Sequence, residues 1–450
     1  MAPGFVRERL AGRSRGDAVT RAGACADASF FPAVFARRVP SHSPYWGVTA
    51  LQRQERYAQM KAFQFGAGNI GRGFLGQLFF ESGYRTTFID VVDAVVEGLR
   101  KRESYPIHLV SDETTKIEVR NVTAVHAGDM DAVARVVAES DIGATAVGVS
   151  VLPRIAPALA GGIALRFSDP AAPPLNIIIC ENMIGAGSFL REQVRAALDP
   201  AHHAALDEKV GFVEASIGRM VPVMTERERS IDPLLVCVEP YCELPVDRAG
   251  FRGEIPEIAH MKALDNFQGY VERKLFVHNM SHATAAYLGH LRGHEYIWQT
   301  VGDSAIRKEV EGALFEACRG LVRKHGLDPV DLHAHAEDLL DRYANRALGD
   351  QVARIAKDPI RKLGPNDRLI GTGLMCLDQG VEPRHVALGA AAALLYDHPD
   401  DPAAIEVQRV RTEHGPEEAL RTFCHLDPDH ELARLILEQL GRLQRGEWPD

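Results

Sequence analysis

The stretch that most constrains the fold of this chain is Lys61–Asp90, KAFQFGAGNIGRGFLGQLFFESGYRTTFID. It opens with an apolar run, Ala62–Phe65, that predicts a buried strand, and three glycines follow at the spacing G-x-G-x-x-G. A helical pattern of apolar residues comes next, and then a second apolar strand, Thr86–Ile89, which leads to Asp90. A strand, a glycine-rich turn, a helix and a second strand ending in an acid together predict a dinucleotide-binding unit.

The acid distinguishes this unit from a glycine-rich loop that merely turns the chain, because a simple turn needs no carboxylate 19 residues after the third glycine. The first glycine permits the tight turn, the second lets the backbone approach a pyrophosphate, and the third lets helix and strand pack closely. A carboxylate here can bond a ribose 2′-OH and would repel a 2′-phosphate, so we expect NAD rather than NADP. The predicted cofactor-binding residues of this stretch are Gly66, Gly68, Asn69, Ile70, Gly71 and Asp90.

The composition is that of a soluble globular protein and narrows the possible partners. The 450 residues, 46% hydrophobic and 25% charged, suffice for two domains with cores of their own. A net charge of −10 disfavours nucleic acid as a partner, and we find no run of about 18 apolar residues that would predict a membrane span. The seven scattered cysteines show no C-x-x-C and no zinc spacing, so we expect reduced thiols, a cytoplasmic location and no metal site. His333 and His335 stand at i, i+2 on a predicted helix, and we interpret them as solvated.

Residues 1–59 differ in composition from the rest of the chain. They contain nine arginines and only four acids, with poor periodicity and many small residues. We expect a disordered extension without a role in chemistry, or a start codon placed too early, with Met60 as the natural beginning. The alternative is an organelle transit peptide, which Arg-rich, acid-poor leaders can be.

From residue 61 onward, strands alternate with helices, which predicts a parallel sheet with helices on its faces. Ligands of such sheets lie at the carboxyl ends of the strands. The turn at Gly148 and Val149, after a predicted strand, is therefore expected to flank the cofactor. Asn182 is delivered to the same edge by the predicted strand Asn176–Cys180, and Ile117–Val122 is predicted as a further strand.

Long helical patterns dominate after about residue 256, and the first of them is predicted to span Ala259–His290. The predicted fold class is thus α/β, with a Rossmann-type dinucleotide-binding domain over residues 60–256. A mainly α-helical domain, predicted to bind the substrate, follows over residues 257–450.

The second informative stretch is Lys274–His282, KLFVHNMSH. On an α-helix, Lys274, Asn279 and His282 fall within an arc of about 140° and share one face with His278. A lysine with a lowered pKa can accept the hydroxyl proton that leaves when an alcohol is oxidised. Amide groups of Asn279 and Asn182 can stabilise the developing alkoxide, and His282 can hold the substrate or relay the proton. The alternative is a solvated polar face with no chemistry.

GAGNIGRGF, the CENM of residues 180–183 and the pattern K-x4-N-x2-H together resemble the polyol-specific long-chain dehydrogenases. The resemblance runs from Met60 to near the C-terminus and covers both predicted domains. It implies a metal-independent, NAD-linked interconversion of mannitol 1-phosphate and fructose 6-phosphate by a monomer. In this family pattern Lys274 matches the catalytic base, Asn182 and Asn279 match the oxyanion donors, and His282 matches a substrate-contacting histidine.

Two alternatives stay open beside this interpretation. Relatives that act on free mannitol or on hexuronates share the lysine helix, although their glycine loops depart from GAGNIGRGF. A dinucleotide-sensing protein without catalysis is the other alternative. It is suggested by Gly218, which stands in SIGRMVP where the family usually has Asp.

A phosphorylated substrate needs a positive counter-charge, and the segment KDPIRKLGPNDR over residues 357–368 offers one. Arginine is suited to bidentate phosphate binding, so Arg361 and Arg368 are the first candidates and Lys362 is a third. The alternative is a solvated basic loop in an acidic protein. Arg219 is a weaker candidate, which we otherwise interpret as a structural ion-pair partner.

Overall fold

The computed structural model describes residues 60–111, 114–222, 224 and 230–447. The predictions for residues 1–59 lie outside this part of the chain. The strands, numbered in chain order, are β1 (Lys61–Phe65), β2 (Arg85–Asp90), β3 (Ser104–Leu109), β4 (Thr115–Arg120), β5 (Val122–His126), β6 (Ile142–Thr145), β7 (Leu175–Ile179), β8 (Val210–Glu214), β9 (Val236–Val238), β10 (Leu244–Asp247) and β11 (Met261–Leu264).

The α-helices of the first half are Gly76–Glu81, Asp93–Arg102, Met130–Glu139, Leu152–Arg166, Ala186–Ala197 and His203–Lys209. Those of the second half are Phe267–Arg273, Met280–Leu291, Ile297–Gly302, Ser304–His325, Pro329–Ala344, Val352–Ala356, Pro359–Lys362, Ile370–Asp378, Arg384–Leu395, Pro402–His414, Pro416–Ala419 and Glu431–Gln444. Wider π-helical turns occur at Gly71–Leu75, Lys274–Asn279 and Leu420–Cys424, and 3₁₀ turns at Val149–Val151, Pro200–His202, Arg248–Gly250 and Arg346–Leu348.

The main sheet has six parallel strands in the order β5-β2-β1-β6-β7-β8. This is the Rossmann order, in which the order of successive strands reverses between β1 and β6 while all strands stay parallel, and a crevice opens there at the carboxyl ends of the strands. Central strands are covered on both faces, which is why β6 and β7 are buried at every position. The predicted α/β class, with a helical part after it, is confirmed.

Two predicted elements are wrong in their bounds. The predicted strand Ile117–Val122 is divided at Asn121, whose φ of +62° interrupts the extended backbone, so β4 pairs with β3 in a small sheet while β5 joins the main sheet. The predicted helix Ala259–His290 begins only at Phe267, because residues 261–264 form β11 beside β10. The boundary that we predict between residues 256 and 257 lies in the connection between these two strands and stays a prediction.

One helix of the sheet domain is long and apolar enough, by composition alone, to cross a membrane: Val149–Arg166, in the part of the chain that the structure describes. Half of it is buried inside the protein. Leu152, Leu159 and Ile163 are completely buried and belong to the same apolar core as strand residues Phe63 and Ile177. Burial of this kind is typical of a core helix packed on a sheet.

The second half of the chain is organised around one continuous helical segment, residues 267–291, which we call the lysine helix. Its last part is buried at ten successive positions, from Met280 to Gly289. Helices that are apolar on all sides lie in the centre of a core, and this one belongs to the large apolar cluster of the helical half. Its π turn at Lys274–Asn279 faces the sheet domain, where Lys274 contacts Asn182.

Candidate active site

The glycine-rich turn has the shape that a bound pyrophosphate requires. Gly66 has a φ of +88°, and a Cβ there would overlap the Ala146 carbonyl oxygen. A Cβ on Gly71 would overlap the carbonyl oxygen of Gly66, whereas one on Gly68 would meet nothing within 4 Å. The turn is thus closely packed against β6 on its inner side and open at Gly68. With the exposed Asn69 and the half-buried Ile70 beside it, it fits a dinucleotide.

Asp90 braces this turn from the end of β2. Its Oδ2 atom accepts a hydrogen bond from the Ala67 N–H at 2.6 Å, and its Oδ1 atom accepts one from the Val92 N–H at 3.0 Å. The carboxylate therefore fixes the loop and lies where β2 ends at the crevice. Ribose binding by Asp90 stays a prediction.

Glu181 is a site residue that sequence reasoning missed. Its carboxylate accepts hydrogen bonds from the Val147 and Gly148 N–H groups, both at 2.9 Å, and so fixes the turn after β6. Gly148 has a φ of +92° and is exposed, with Val149 half-buried beside it. Burial raises the pKa of the Glu181 carboxyl against the opposing effect of these hydrogen bonds. The motif CENM places Glu181 directly after the predicted strand, next to Asn182, but the sequence alone predicted a role only for Asn182.

The structure brings Lys274 to the carboxyl edge of the sheet, where its Nζ atom donates to Asn182 Oδ1 at 3.3 Å. Burial lowers the pKa of Lys274 to about 8, and the charge of Arg368 acts in the same direction. The amide oxygen of Asn182 is thereby directed at the lysine, which leaves its NH₂ group as a donor. A half-buried amine that is partly neutral near physiological pH can act as a general base.

Asn279 and His278 lie on the same π-helical turn as Lys274. The wider turn corrects the α-helical geometry assumed above, since hydrogen bonds between residues five apart place Lys274 and Asn279 one turn from each other. Asn279 is half-buried, while His278 is buried and has a pKa well below its ordinary value because of desolvation. His282 lies one turn further along, and its ring stacks on Tyr343.

The three residues predicted to bind phosphate differ in their surroundings. Lys362 is 3% exposed, and burial lowers its pKa to about 7, with contributions from Arg368 and Arg361. The Arg368 side chain is 14% exposed, and its Nε atom lies 2.7 Å from Asp367 Oδ1. The Arg361 side chain is half exposed and already paired with Asp358 and Asp367. The charge of Arg368 therefore acts on both Lys274 and Lys362, whereas Arg361 lies toward the solvent.

Arg219 is buried and structural. Its Nε atom donates to the Glu239 carbonyl oxygen at 2.8 Å, and its Nη1 atom donates to Gly73 O at 2.9 Å and Gln77 Oε1 at 2.8 Å. These partners tie the segment after β8 to the helix behind the glycine turn. Arg219 is thus held inside the sheet domain, which fits a structural role rather than phosphate binding, although its three acceptors are carbonyl and amide oxygens and not the carboxylate of the expected ion pair.

Gly218, the departure from the family pattern, lies beside a buried ion pair. Its carbonyl oxygen accepts a hydrogen bond from Arg342 Nη2 at 2.6 Å, and a Cβ at this position would approach the Tyr241 ring to 3.2 Å. The Arg342 guanidinium also lies over the Tyr241 ring at 4.1 Å. The space for a side chain at position 218 is therefore limited by Tyr241, and Glu239 supplies the carboxylate that pairs with Arg342.

His335 is not solvated, so that interpretation is wrong. It is half-buried and lines a small cavity together with Lys274 and His278, and burial holds its pKa well below the ordinary value. His333, by contrast, is exposed. Among residues 60–447, outside the short gaps, no group of three or more His, Cys, Asp or Glu side chains has the geometry of a metal site.

A Rossmann sheet, an open glycine turn and an amine with a lowered pKa at the same crevice define a dinucleotide-dependent oxidoreductase. Two family models match: the mannitol dehydrogenase Rossmann domain over residues 60–260 and the mannitol dehydrogenase C-terminal domain over residues 266–433. The chain belongs to the mannitol dehydrogenase family. It is 39% identical over 389 residues to the mannitol-1-phosphate 5-dehydrogenase of Brevibacillus brevis, covering 86% of this chain and 99% of that protein.

Solved structures share the fold at low identity. The Pseudomonas fluorescens mannitol 2-dehydrogenase, in a ternary complex with NAD and D-mannitol, has a TM-score of 0.63 and 18% identity, covering 86% of this chain and 92% of that one. A substrate-free D-sorbitol dehydrogenase has a TM-score of 0.73 and 15% identity, covering 87% and 95%. These two structures support the two-part architecture described above.

Proposed function

We propose that this chain is an NAD-dependent mannitol-1-phosphate 5-dehydrogenase that interconverts D-mannitol 1-phosphate and D-fructose 6-phosphate. The observation that carries the proposal is the contact of Lys274 Nζ with Asn182 Oδ1 at 3.3 Å. This contact brings the proposed general base, which lies on the helical part, to the carboxyl edge of the sheet. The proposed substrate is that named for the 39% identical relative, because the match covers 99% of that protein.

Each residue of the site has one task in this proposal. Lys274 accepts the proton of the C5 hydroxyl during oxidation and returns it during reduction. The amides of Asn182 and Asn279 donate to the oxygen as negative charge develops on it. His282 holds a substrate hydroxyl. NAD, when bound, supplies hydride acceptance and, in its reduced form, hydride donation.

The residues that would hold the cofactor surround the crevice at the carboxyl ends of β1, β2 and β6. The glycine turn offers backbone N–H groups at the start of a helix, which favours the pyrophosphate. Asp90 favours a free ribose 2′-OH. Gly148 and Val149 form the opposite wall of the crevice. Because Gly148 has no side chain, the cofactor can approach the backbone there.

Arg368 and Lys362 are the proposed phosphate ligands. Both are largely buried, and the charge of Arg368 acts on Lys274 as well as on Lys362. Burying several cations together costs free energy unless an anion compensates their charge. Here the Asp367 carboxylate contacts Arg368 at the Nε atom. A phosphate group placed between Arg368 and Lys362 supplies the missing negative charge.

The test is NADH oxidation with fructose 6-phosphate and with fructose at equal concentration. We expect fructose 6-phosphate to be strongly preferred, and Arg368→Ala to raise its KM about 10- to 100-fold while leaving reduction of fructose little changed, because a charged hydrogen bond to phosphate is lost. Arg361→Ala, which removes an exposed arginine with two carboxylate partners, should have a smaller effect. A wild-type enzyme that prefers fructose or a hexuronate would refute the phosphorylated substrate.

The pH dependence should differ in sign between the two directions. Oxidation needs neutral Lys274, so its kcat/KM should rise tenfold per pH unit up to the pKa of about 8 and then level off. Reduction needs the protonated lysine, so its kcat/KM should fall above about 8. Initial rates from pH 6 to pH 10 in both directions check this. Parallel profiles in the two directions would contradict a lysine base.

The monomeric state and the cytoplasmic location stay predictions that follow from the family pattern and the composition. Sedimentation velocity of the purified chain tests the first of them.

A further inference from the structure

The imidazole of His282 is held from two sides by the helical part of the protein. Its Nε2 atom lies 2.8 Å from Asp350 Oδ2, with the two side chains only 11% and 9% exposed. Its ring stacks on Tyr343, with the ring centroids 4.7 Å apart and an interplanar angle of 13°. Tyr343 is itself fixed, because its hydroxyl donates to the His278 carbonyl oxygen at 2.8 Å. The ring therefore has little freedom to turn.

Asp350 is fixed by its own neighbours. Its Oδ1 atom pairs with Arg354, and its carbonyl oxygen accepts the Ile297 N–H at 2.9 Å. Burial alone would raise the pKa of the Asp350 carboxyl. The hydrogen bond with His282 and the charge of Arg354 outweigh this effect, so the pKa lies below its ordinary value. Asp350 is thus an ionised carboxylate near neutral pH, and an ionised carboxylate only accepts hydrogen bonds.

We propose that Asp350 is a positioning residue for His282 and decides which ring nitrogen faces the substrate. Because the carboxylate can only accept, Nε2 must carry the proton, and in the neutral ring Nδ1 is left as the acceptor. Nδ1 then receives a hydrogen bond from a substrate hydroxyl and orients the carbon chain. This inference rests on the proposed function, in which His282 contacts the polyol.

The Nε2–H direction in the structure is not aligned with the carboxylate, although the two atoms are within reach. Hydrogen bonds of this kind often align only when the substrate is in place. The pair is therefore expected to tighten during turnover through a small shift of the ring within its stacking plane, when a substrate hydroxyl bonds Nδ1.

The test compares Asp350→Asn with a matched control on the same helix. His290 also belongs to the lysine helix, and its Nε2 atom lies 2.7 Å from Asp397 Oδ1 on a more exposed surface. We expect Asp350→Asn to lower kcat/KM for fructose 6-phosphate about 10- to 100-fold, the loss that is typical when the carboxylate that orients a metal-ligating histidine is removed. Asp397→Asn should leave kcat/KM unchanged, and Asp350→Glu, which keeps the carboxylate, should recover part of the loss.

The second measurement is independent of turnover. ¹⁵N-labelled histidine resonances, with His282 assigned through the His282→Gln variant, report the tautomer directly. We expect the Nε2–H tautomer in the wild-type protein and a loss of this preference in Asp350→Asn. An Nδ1–H tautomer in the wild-type protein, or equal kinetics of Asp350→Asn and Asp397→Asn, would overturn the proposal. If the wild-type protein reduces no polyol phosphate, the proposed function fails, while the tautomer still decides the role of Asp350.

Discussion

Lys274→Ala is expected to lower turnover with fructose 6-phosphate by about 10²–10⁴-fold while NADH binding stays nearly intact. The reason is that the amine contributes proton transfer, whereas the glycine turn, Asp90 and the turn after β6 lie on other elements. Stopped-flow or steady-state NADH oxidation measures the first quantity, and fluorescence titration with NADH measures the second.

A suitable control is Lys209→Ala. Lys209 is half-buried at the amino end of β8, opposite the crevice, where its Nζ atom donates to the Pro170 carbonyl oxygen at 2.9 Å. This variant should behave like the wild-type enzyme in both assays. Unchanged turnover in Lys274→Ala would remove the lysine from the mechanism, and loss of NADH binding together with turnover would indicate damage to the fold instead.

Arg342→Ala is expected to destabilise the protein by about 3–5 kcal/mol, the cost of removing one partner from a buried ion pair. Arg342 and Glu239 are 8% and 1% exposed, and the guanidinium contacts both carboxylate oxygens. Burial already raises the pKa of Glu239 in spite of Arg342, so the remaining carboxylate would be left as a buried charge or would take up a proton. Urea unfolding, followed by tryptophan fluorescence, measures the loss.

Two further variants make this prediction specific. Replacing both partners by leucine should restore much of the lost stability, because buried pairs are often replaced by apolar residues at little cost. Arg409→Ala, which removes an exposed arginine paired with Glu406 and Glu413, should leave the unfolding midpoint nearly unchanged. Equal midpoints for Arg342→Ala and the wild-type protein would show that the buried pair does not contribute to stability.

The glycine turn and the carboxylate that fixes it could be predicted from the sequence because their signals are local. Strand, glycines, helix and acid follow one another within Lys61–Asp90, and the spacing alone dictates where the turn and the carboxylate meet. The alternation of strands and helices likewise predicts a parallel sheet. The division at Asn121 was missed, since a single residue with positive φ leaves almost no trace in a pattern of apolar residues.

The arrangement around Lys274 could be predicted in part. The spacing of Lys274 and Asn279 indicates a shared face, but the π turn that places them there depends on packing against neighbouring helices. Partners distant in sequence could not be predicted: Arg342 and Glu239 are 103 residues apart. The same holds for Asp350 beside His282, where no local pattern links a loop residue to a helix. Such contacts depend on the tertiary arrangement alone.

The effect of the Arg368 charge on Lys274 has a consequence for the protonation of the lysine when substrate is bound. The guanidinium charge helps to keep the amine deprotonated in the free enzyme. A dianionic phosphate seated on Arg368 would offset that charge and favour the ammonium form of the lysine. The phosphorylated substrate would thus raise the fraction of enzyme that carries the proton that ketone reduction consumes, which an unphosphorylated sugar could not do.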